Sequence, residues 1–516
     1  MQTPGKTKNK YLRLAQTVAA SGGALVINTL ITLLLVPVVT NTLGSDAYGF
    51  VTLGKNMAQY ATMVTAVLNS FAARHIVVSY HREDLEEANV FFTSTVYGDL
   101  FLGTGLFAVA LVGICFLEKL LTIPAQLVTD VKLLFLFVFI NFWLVTITTA
   151  FSASAHIKNC LHIVGLCKAA SYLCEAVVLL VCFYYFTPHI FYVGLGLAVA
   201  SFLLAITNIQ ICRCYTPELK VNKKYFSARA IGKLVMDGVW TSLNSLGDTL
   251  NSGLDLLVCN LMLTPTAMGQ LAISKTFYSM FSSMFLLVGQ AFEPMYLKSY
   301  AEDDKKTLLG EFSVAMKLSG MLSNIVFAGF VALGMAFYQL WIPGEDIALI
   351  YTLTVINNMI TIPGGPMQPL YYIYVLTMKK KVPTIVTICG GLCNVAGMYL
   401  LIHFTGMGVY AVVWTTVIVM MAINFGTNPL YMAHVLDVPW WTFYPAILRN
   451  LLSCAALTAV FKALSLLYTP SSWVTLILSA AMLGVIGCIL HLLIVCSRDD
   501  WKLLREKLKR GKRNEQ

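Results

Sequence analysis

Charge is what this sequence has least of. Only 12% of the 516 residues are Asp, Glu, Lys or Arg, against 58% hydrophobic ones, and a chain of that composition cannot dissolve in water as a globule of this size. Other absences narrow the chemistry. No G-x-x-x-x-G-K-[ST] phosphate loop occurs, so the chain is not expected to hydrolyse ATP itself. No H-E-x-x-H or comparable ligand cluster calls for a metal, and nothing calls for a cofactor. The longest outer loop, near Glu118 to Gln126, is too small to assemble much of an active site, which argues against a polysaccharide polymerase or any other enzyme. The thirteen cysteines do not make a disulfide scaffold, because most lie inside apolar runs. Cys160, Cys167 and Cys174 recur on one helix face and read as small packing residues.

What is present is alternation. About fourteen apolar stretches, each roughly 20 to 30 residues long, are separated by loops that are basic on every second turn. One set of loops holds the N-terminal Lys6, Lys8, Lys10 and Arg13, then Arg74, Arg82 and Lys158, then Lys220, Lys223, Lys224 and Arg229, then Lys298, Lys305, Lys306 and Lys379 to Lys381, and a tail from Arg498 to Arg513. The opposite loops hold almost none, Lys119 excepted. The net charge of +10, which in a soluble protein would suggest nucleic acid, is therefore an orientation signal, and no nucleic-acid partner is expected. The expected fold is an all-α polytopic protein of the lipid bilayer with about fourteen transmembrane helices and both termini cytoplasmic. The first apolar run continues to Val38, past any signal-peptidase site, and reads as an uncleaved span.

A repeat organises the spans. At one constant offset Leu43 aligns with Leu263, Ala47 with Ala267, Gly49 with Gly269, Lys55 with Lys275, Ser79 with Ser299, Tyr80 with Tyr300 and Asp84 with Asp304. The second span thus pairs with the eighth. Six spans per repeat is an even number, so two six-helix lobes share one orientation and are expected to be related by a pseudo-two-fold axis along the membrane normal. The predicted division is an N-lobe over 1–214, a C-lobe over 215–435 that opens with a cytoplasmic linker at 215–230, a helix pair over 436–497 and a basic cytoplasmic tail over 498–516. Ser227 is placed to cap the seventh span.

Two six-span lobes with two further spans, the short outer turn Leu43-Gly44-Ser45-Asp46-Ala47-Tyr48-Gly49, and the seventh-span run Trp240 to Asn260 carrying Asp248 and Asp255 together resemble the polysaccharide flippases of the multidrug/oligosaccharidyl-lipid/polysaccharide exporter superfamily. The resemblance covers essentially the whole chain. It implies a V-shaped pair of lobes around a central cavity, alternating access, and an undecaprenyl-type lipid-linked oligosaccharide, such as an O-antigen, capsule or exopolysaccharide repeat unit, as cargo. It also implies a bacterial inner membrane location, a proton or sodium ion for coupling, and other polysaccharide assembly proteins as partners. Within the superfamily the alternatives are a cation-coupled multidrug antiporter and a peptidoglycan-precursor flippase.

Ionisable residues inside spans are costly, so each is a candidate. Lys55 and Lys275, equivalent in the repeat, could hold a diphosphate as point charges, with Lys168 as a further cation; snorkelling to the interface is the plain alternative. Asp248 and Asp255 are expected on one face of the seventh span, either exchanging a coupling ion or neutralising a lysine. Lys168 and Glu175 share a face of the fifth span and need partners from another helix. Asp99 and Asp237 are expected near cytoplasmic ends, where solvation is cheap. Arg74 and Glu293 end the repeat-related second and eighth spans and form a candidate cytoplasmic gate. Pro363, Gly364, Gly365 and Pro366, with Pro369, interrupt the tenth span as a candidate hinge that its repeat counterpart near Trp143, lacking proline, would not share.

The topology makes a direct expectation. In intact cells, a membrane-impermeant thiol reagent labels a single cysteine placed at Ser45, Thr266 or Gly344 and leaves one at Lys223 or Lys380 unlabelled; labelling of either of the latter contradicts the fourteen-span arrangement.

Overall fold

Hydrocarbon offers a backbone no hydrogen bonds, so each crossing must satisfy its own amides, which favours helix throughout. In the computed structural model, which describes residues 4–496, every regular element is helical and no strand occurs among the described residues. The predicted tail 498–516 lies outside the described residues. The helices are labelled α1 (Pro4–Leu43), α2 (Ser45–His81), α3 (Leu85–Cys115), α4 (Ala125–Ile157), α5 (Leu161–Tyr185), α6 (Phe191–Tyr215), α7 (228–262), α8 (Pro265–Ala301), α9 (Lys305–Trp341), α10 (Ile347–Leu376), α11 (Lys381–Thr405), α12 (Val409–Val435), α13 (Tyr444–Leu467) and α14 (Trp473–Val495). Among the described residues, twelve helices are long and apolar enough to cross a membrane. α7 carries Asp237, Asp248 and Asp255, and α8 carries Lys275, Glu293 and Lys298.

The repeat is legible in the elements themselves. α2 and α8 are each 37 residues, and α5 and α11 each 25, at the same offset that aligns Lys55 with Lys275. The turns that follow α2 and α8 match in detail. Glu83 and Asp303 both take positive φ. Asp84 and Asp304 share φ −87° and ψ 78° and cap the next helix by accepting from the amides of Glu87 and Thr307. Ser79 and Ser299 each donate to a glutamate of the following helix, though at different positions, Glu87 and Glu311. At Asp304 the Thr307 hydroxyl and amide hold the carboxyl below the usual carboxylate range. The outer turn expected over Leu43 to Gly49 is shorter than that: Gly44 alone separates α1 from α2, at φ 88°, a conformation that glycine adopts without strain.

The described residues divide into two compact units, one up to residue 273 and one from residue 274. In the first, α2 packs on α1, α3 and α7, and α4 packs on α6. Gly49 and Gly269, partners in the repeat, touch: a Cβ on Gly269 would lie 2.2 Å from the Ser45 carbonyl oxygen. The stretch between α6 and α7 is tied down rather than loose. The Asn89 side chain donates to the Glu218 carbonyl and accepts from the Lys220 amide at 2.7 Å, and Ser227 caps α7 as expected. In the second unit α9 is the hub, with α10, α13 and α14 against it. Buried polar pins hold the last pair there. Asn324 donates to the Asn450 carbonyl, and His491 joins the Ser453 hydroxyl to the Lys317 carbonyl.

The tenth span breaks where the proline run predicts. A short helix over Thr361–Met367 gives way to a 3-10 turn over Gln368–Tyr371. Pro369 supplies no N–H for the Gly365 carbonyl, which instead accepts the Gln368 amide and the Ser319 hydroxyl at 2.7 Å. The expectation that the first repeat lacks such a break is overturned. α4 turns 3-10 over Thr149–Ser152, the equivalent place, without any proline. There the threonine hydroxyls bond back to preceding carbonyls, Thr148 to Leu144 and Thr149 to Val145, which loosens a helix locally.

Gly365 is a contact rather than a flexible link. A Cβ there would lie 2.3 Å from the Ser323 Cβ. Gly365→Ala is therefore expected to destabilise the purified protein by about 1–3 kcal/mol, read as a lowered thermal transition. Ser323→Gly in the same chain should recover most of that loss, and failure to recover would mean the glycine is needed for backbone freedom instead.

Candidate functional site

Two cavities in the first unit contain four of the charged residues singled out in the sequence, Lys55, Lys168 and Glu175 in one and Asp248 in the other. The first, about 320 Å³, lies among α1, α2, α4, α5 and α6 and is lined by Lys55, Lys168, Glu175, Asn28, Asn141, Ser171, Tyr172 and Ser201 among others. Lys168 and Glu175 come from one face of α5, as their spacing requires, and Lys55 of α2 is the partner from another helix. Glu175 is 3% exposed, and Gly196 of α6 gives it room, since a Cβ at Gly196 would lie 3.3 Å from the Glu175 Cγ. Lys55 attracts Glu175 at a distance, but neither lysine forms a direct ion pair among the described residues, and Glu175 Oε2 has no hydrogen-bond partner. Two ammonium groups and one carboxylate leave the cavity formally cationic. Its neutral lining supplies donors: Ser201 hydrogen-bonds Asn141.

The second cavity, about 280 Å³, lies between α2 and α7 and is lined by Asn56, Gln59, Tyr60, Met63, Ser245, Asp248 and Ser252 among others. Residues 56, 59, 60 and 63 are a helical stripe, so α2 presents Lys55 to one cavity and this stripe to the other. Asp248 is exposed and accepts from Asn244 at 3.0 Å. Asp255 is 1% exposed. The expected common face for these two aspartates is not kept, because the intervening segment Thr249–Gly253 is a π turn, whose extra residue rotates everything beyond it. The Tyr60 hydroxyl donates to the Gly253 carbonyl in that turn, close to Asp255.

Other expectations fare differently. Asp99 is not at a solvated helix end: it lies midway along α3, 0% exposed, with Asn69 as its hydrogen-bond partner at 2.8 Å. Asp237 is solvated, with 42% of its side chain exposed, and pairs with His75 at 2.8 Å. Arg74 is exposed in the first unit. Glu293 and Lys275 belong to the second unit; Glu293 is half-buried and hydrogen-bonded by the Tyr372 hydroxyl, and Lys275 is half-buried and lines neither cavity. Pro363, Gly365 and Pro366 are buried. The sequence reading missed Asn28, Asn141, Tyr60 and Asn69, uncharged polar residues whose placement inside apolar spans was the available signal.

The fold is shared with solved transporters of the MOP superfamily, the fold that the sequence resemblance implied. Lipid II flippase MurJ in an inward closed conformation superposes with a TM-score of 0.70 at 14% identity, over 92% of this chain and 98% of that one. A multidrug resistance MATE family transporter of the superfamily, inward-facing, gives 0.67 at 13% identity over 80% and 96%. In sequence the chain is similar to the uncharacterized membrane protein EpsK of Bacillus subtilis (strain 168), 24% identical over 489 residues, which is 95% of this chain and 97% of that protein. No family model matches the chain.

The first cavity's charge balance is testable alone. Glu175→Gln leaves two ammonium groups without their counter-charge and is expected to lower the yield of monodisperse protein by severalfold. Adding Lys55→Met should restore it, because the cavity then returns to a single cation. Equal yields from the single and double variants would show that the two side chains are not coupled.

Proposed function

We propose that the chain is a flippase that carries a lipid-diphosphate-linked oligosaccharide from the cytoplasmic to the outer leaflet by alternating access, for surface polysaccharide synthesis. It works in a bacterial inner membrane with both termini cytoplasmic. The observation that carries this reading is the formally cationic, hydrogen-bonding cavity of Lys55, Lys168, Glu175, Asn141 and Ser201. A diphosphate with attached sugars cannot enter hydrocarbon unaided, and cations together with amide and hydroxyl groups are what it requires. An organic-cation cargo favours the reverse, a carboxylate-rich cavity. The greater share of this chain that superposes on the lipid flippase than on the multidrug transporter points the same way, because it takes in more than the twelve spans an antiporter needs.

In this reading Lys55, Lys275 and Lys168 bind the phosphates, and Asp248, Asp255 and Glu175 provide cavity charge or ion coupling. Arg74 and Glu293 close the cytoplasmic side, and the run Pro363 to Pro366 is the place where α10 bends. The repeats 1–214 and 215–435 are the moving lobes, with the helix pair 436–497 alongside.

The experiment is replacement of the lysines. Lys55→Met with Lys275→Met is expected to reduce surface polysaccharide at least tenfold at unchanged protein abundance, because charge pairing in a partly desolvated cavity exceeds that in water. Arg at either site should retain part of the activity. Normal polymer from a stably expressed double Met variant would reject this phosphate site.

A further inference from the structure

Asp99 is the one carboxylate that the sequence reading set aside and the structure buries. Asn69 Nδ2 donates to its Oδ1 at 2.8 Å. Asp99 Oδ2 and Asn69 Oδ1 are both buried and both without a partner. Two orphaned acceptors on the two members of a single hydrogen-bonded pair are what one absent proton leaves behind. A carboxylic acid can donate to an amide oxygen while the amide NH₂ donates back, and every polar atom of the pair is then used. A carboxylate in the same place would be a buried charge with one hydrogen bond and no cation.

The neighbouring charges are committed elsewhere. On α2, Lys55 lies in the first cavity, Arg74 is exposed and His75 pairs with Asp237 of α7. On α4, Asp130 pairs with His189 and Lys132 with Glu118. On α7, Lys233 stands over the Phe91 ring, Asp248 lines the second cavity and Asp255 lies beside Tyr60. Lys223 and Lys224, in the stretch that runs along α3, are exposed. None of these forms an ion pair with Asp99 among the described residues. The local fold keeps the pair close, because the glycine next to Asp99 lets Leu68 in, and a Cβ on Gly98 would lie 2.5 Å from the Leu68 Cδ2. Asp99 is sealed, but Asn69 is only half-buried. It lies one helical turn beyond Ala66, the last α2 residue lining the Asp248 cavity.

We propose that Asp99 and Asn69 form a proton-binding site between α2 and α3, with the proton on Asp99 Oδ2 donated to Asn69 Oδ1. Loss of that proton toward the Asp248 cavity leaves a carboxylate that the closed helix pair cannot solvate, so α2 and α3 loosen and admit water. Proton occupancy thereby selects between two arrangements of the first unit. The link to transport rests on the flippase reading and supplies its coupling ion; the proton site itself does not depend on the cargo.

The test begins with purified full-length protein in liposomes and no substrate. Infrared spectra are expected to contain a protonated-carboxyl band at neutral pH that shifts in D₂O, disappears reversibly at high pH and is missing from Asp99→Asn. A spectrum in which wild type and Asp99→Asn do not differ overturns the proposal. Amide hydrogen exchange in α2 and α3, corrected for the intrinsic rate, should rise at least tenfold with pH in the wild type and stay flat in Asp99→Asn, whose amide mimics the neutral acid and should fold normally. An equal rise in both overturns the linked opening. In cells, Asp99→Asn at wild-type abundance should lower surface polysaccharide at least tenfold, and normal polymer would overturn the role in coupling. If the wild type itself proves to move no lipid-linked sugar, the flippase reading fails, and the first two measurements still decide the proton site.

Discussion

A charge carried into a helix bundle within hydrocarbon must be hydrated, matched or neutralised, and this chain meets that constraint differently in different places. Lys55, Lys168 and Glu175 share a cavity and are partly matched. Asp248 is exposed in a polar cavity lined by Asn56, Gln59 and Ser245. Asp237 is hydrogen-bonded to His75 where both are still accessible. These solutions fix helix positions in turn. α2 can serve two cavities only because Lys55 and the Asn56–Gln59–Tyr60 stripe point to different sides of it, so it packs between α1 and α7 rather than at the edge of its unit.

The same economy governs the backbone. Where a helix loosens, side-chain hydroxyls or neighbouring helices take up the freed groups. Ser319 serves Gly365 beside a proline, and threonines serve α4 at the equivalent place. That two different sequences produce a 3-10 turn at one repeat position argues that the bend belongs to the shared architecture, with proline as one of two means to it. Asn89 does comparable work outside the spans, holding residues 218 and 220 as a neighbouring strand would.

Much of this was legible in the chain because apolar length and basic loops are long-range, redundant signals. The fourteenth span was placed at Trp473 from hydropathy alone, and the Ser227 cap followed from local chemistry. The repeat needed only a few identical residues, of which Asp84 and Asp304 proved to be matched helix caps. What stayed hidden depends on neighbours distant in sequence. That Lys55 joins Lys168 and Glu175 requires knowing which face of α2 meets α5. Asp99 looked solvated because distance from a helix end says nothing about Leu68 and Asn69 covering it. The π turn in α7 leaves no periodic signature, since five residues cannot define a period.

That π turn has a counterpart. α12 carries one over Ile423–Thr427, whereas α1 and α6, the equivalents of α7 and α12 in the first repeat, are regular α-helix at the matching residues. A wider turn at unchanged length shifts angular phase: beyond it, each downstream residue points about one residue's rotation, roughly 100°, from where its counterpart points. The halves thus differ in twist at these two places. Two copies of one ancestral pattern can in this way offer different side chains beyond those turns in α7 and α12 while the matched caps at Asp84 and Asp304 stay in register.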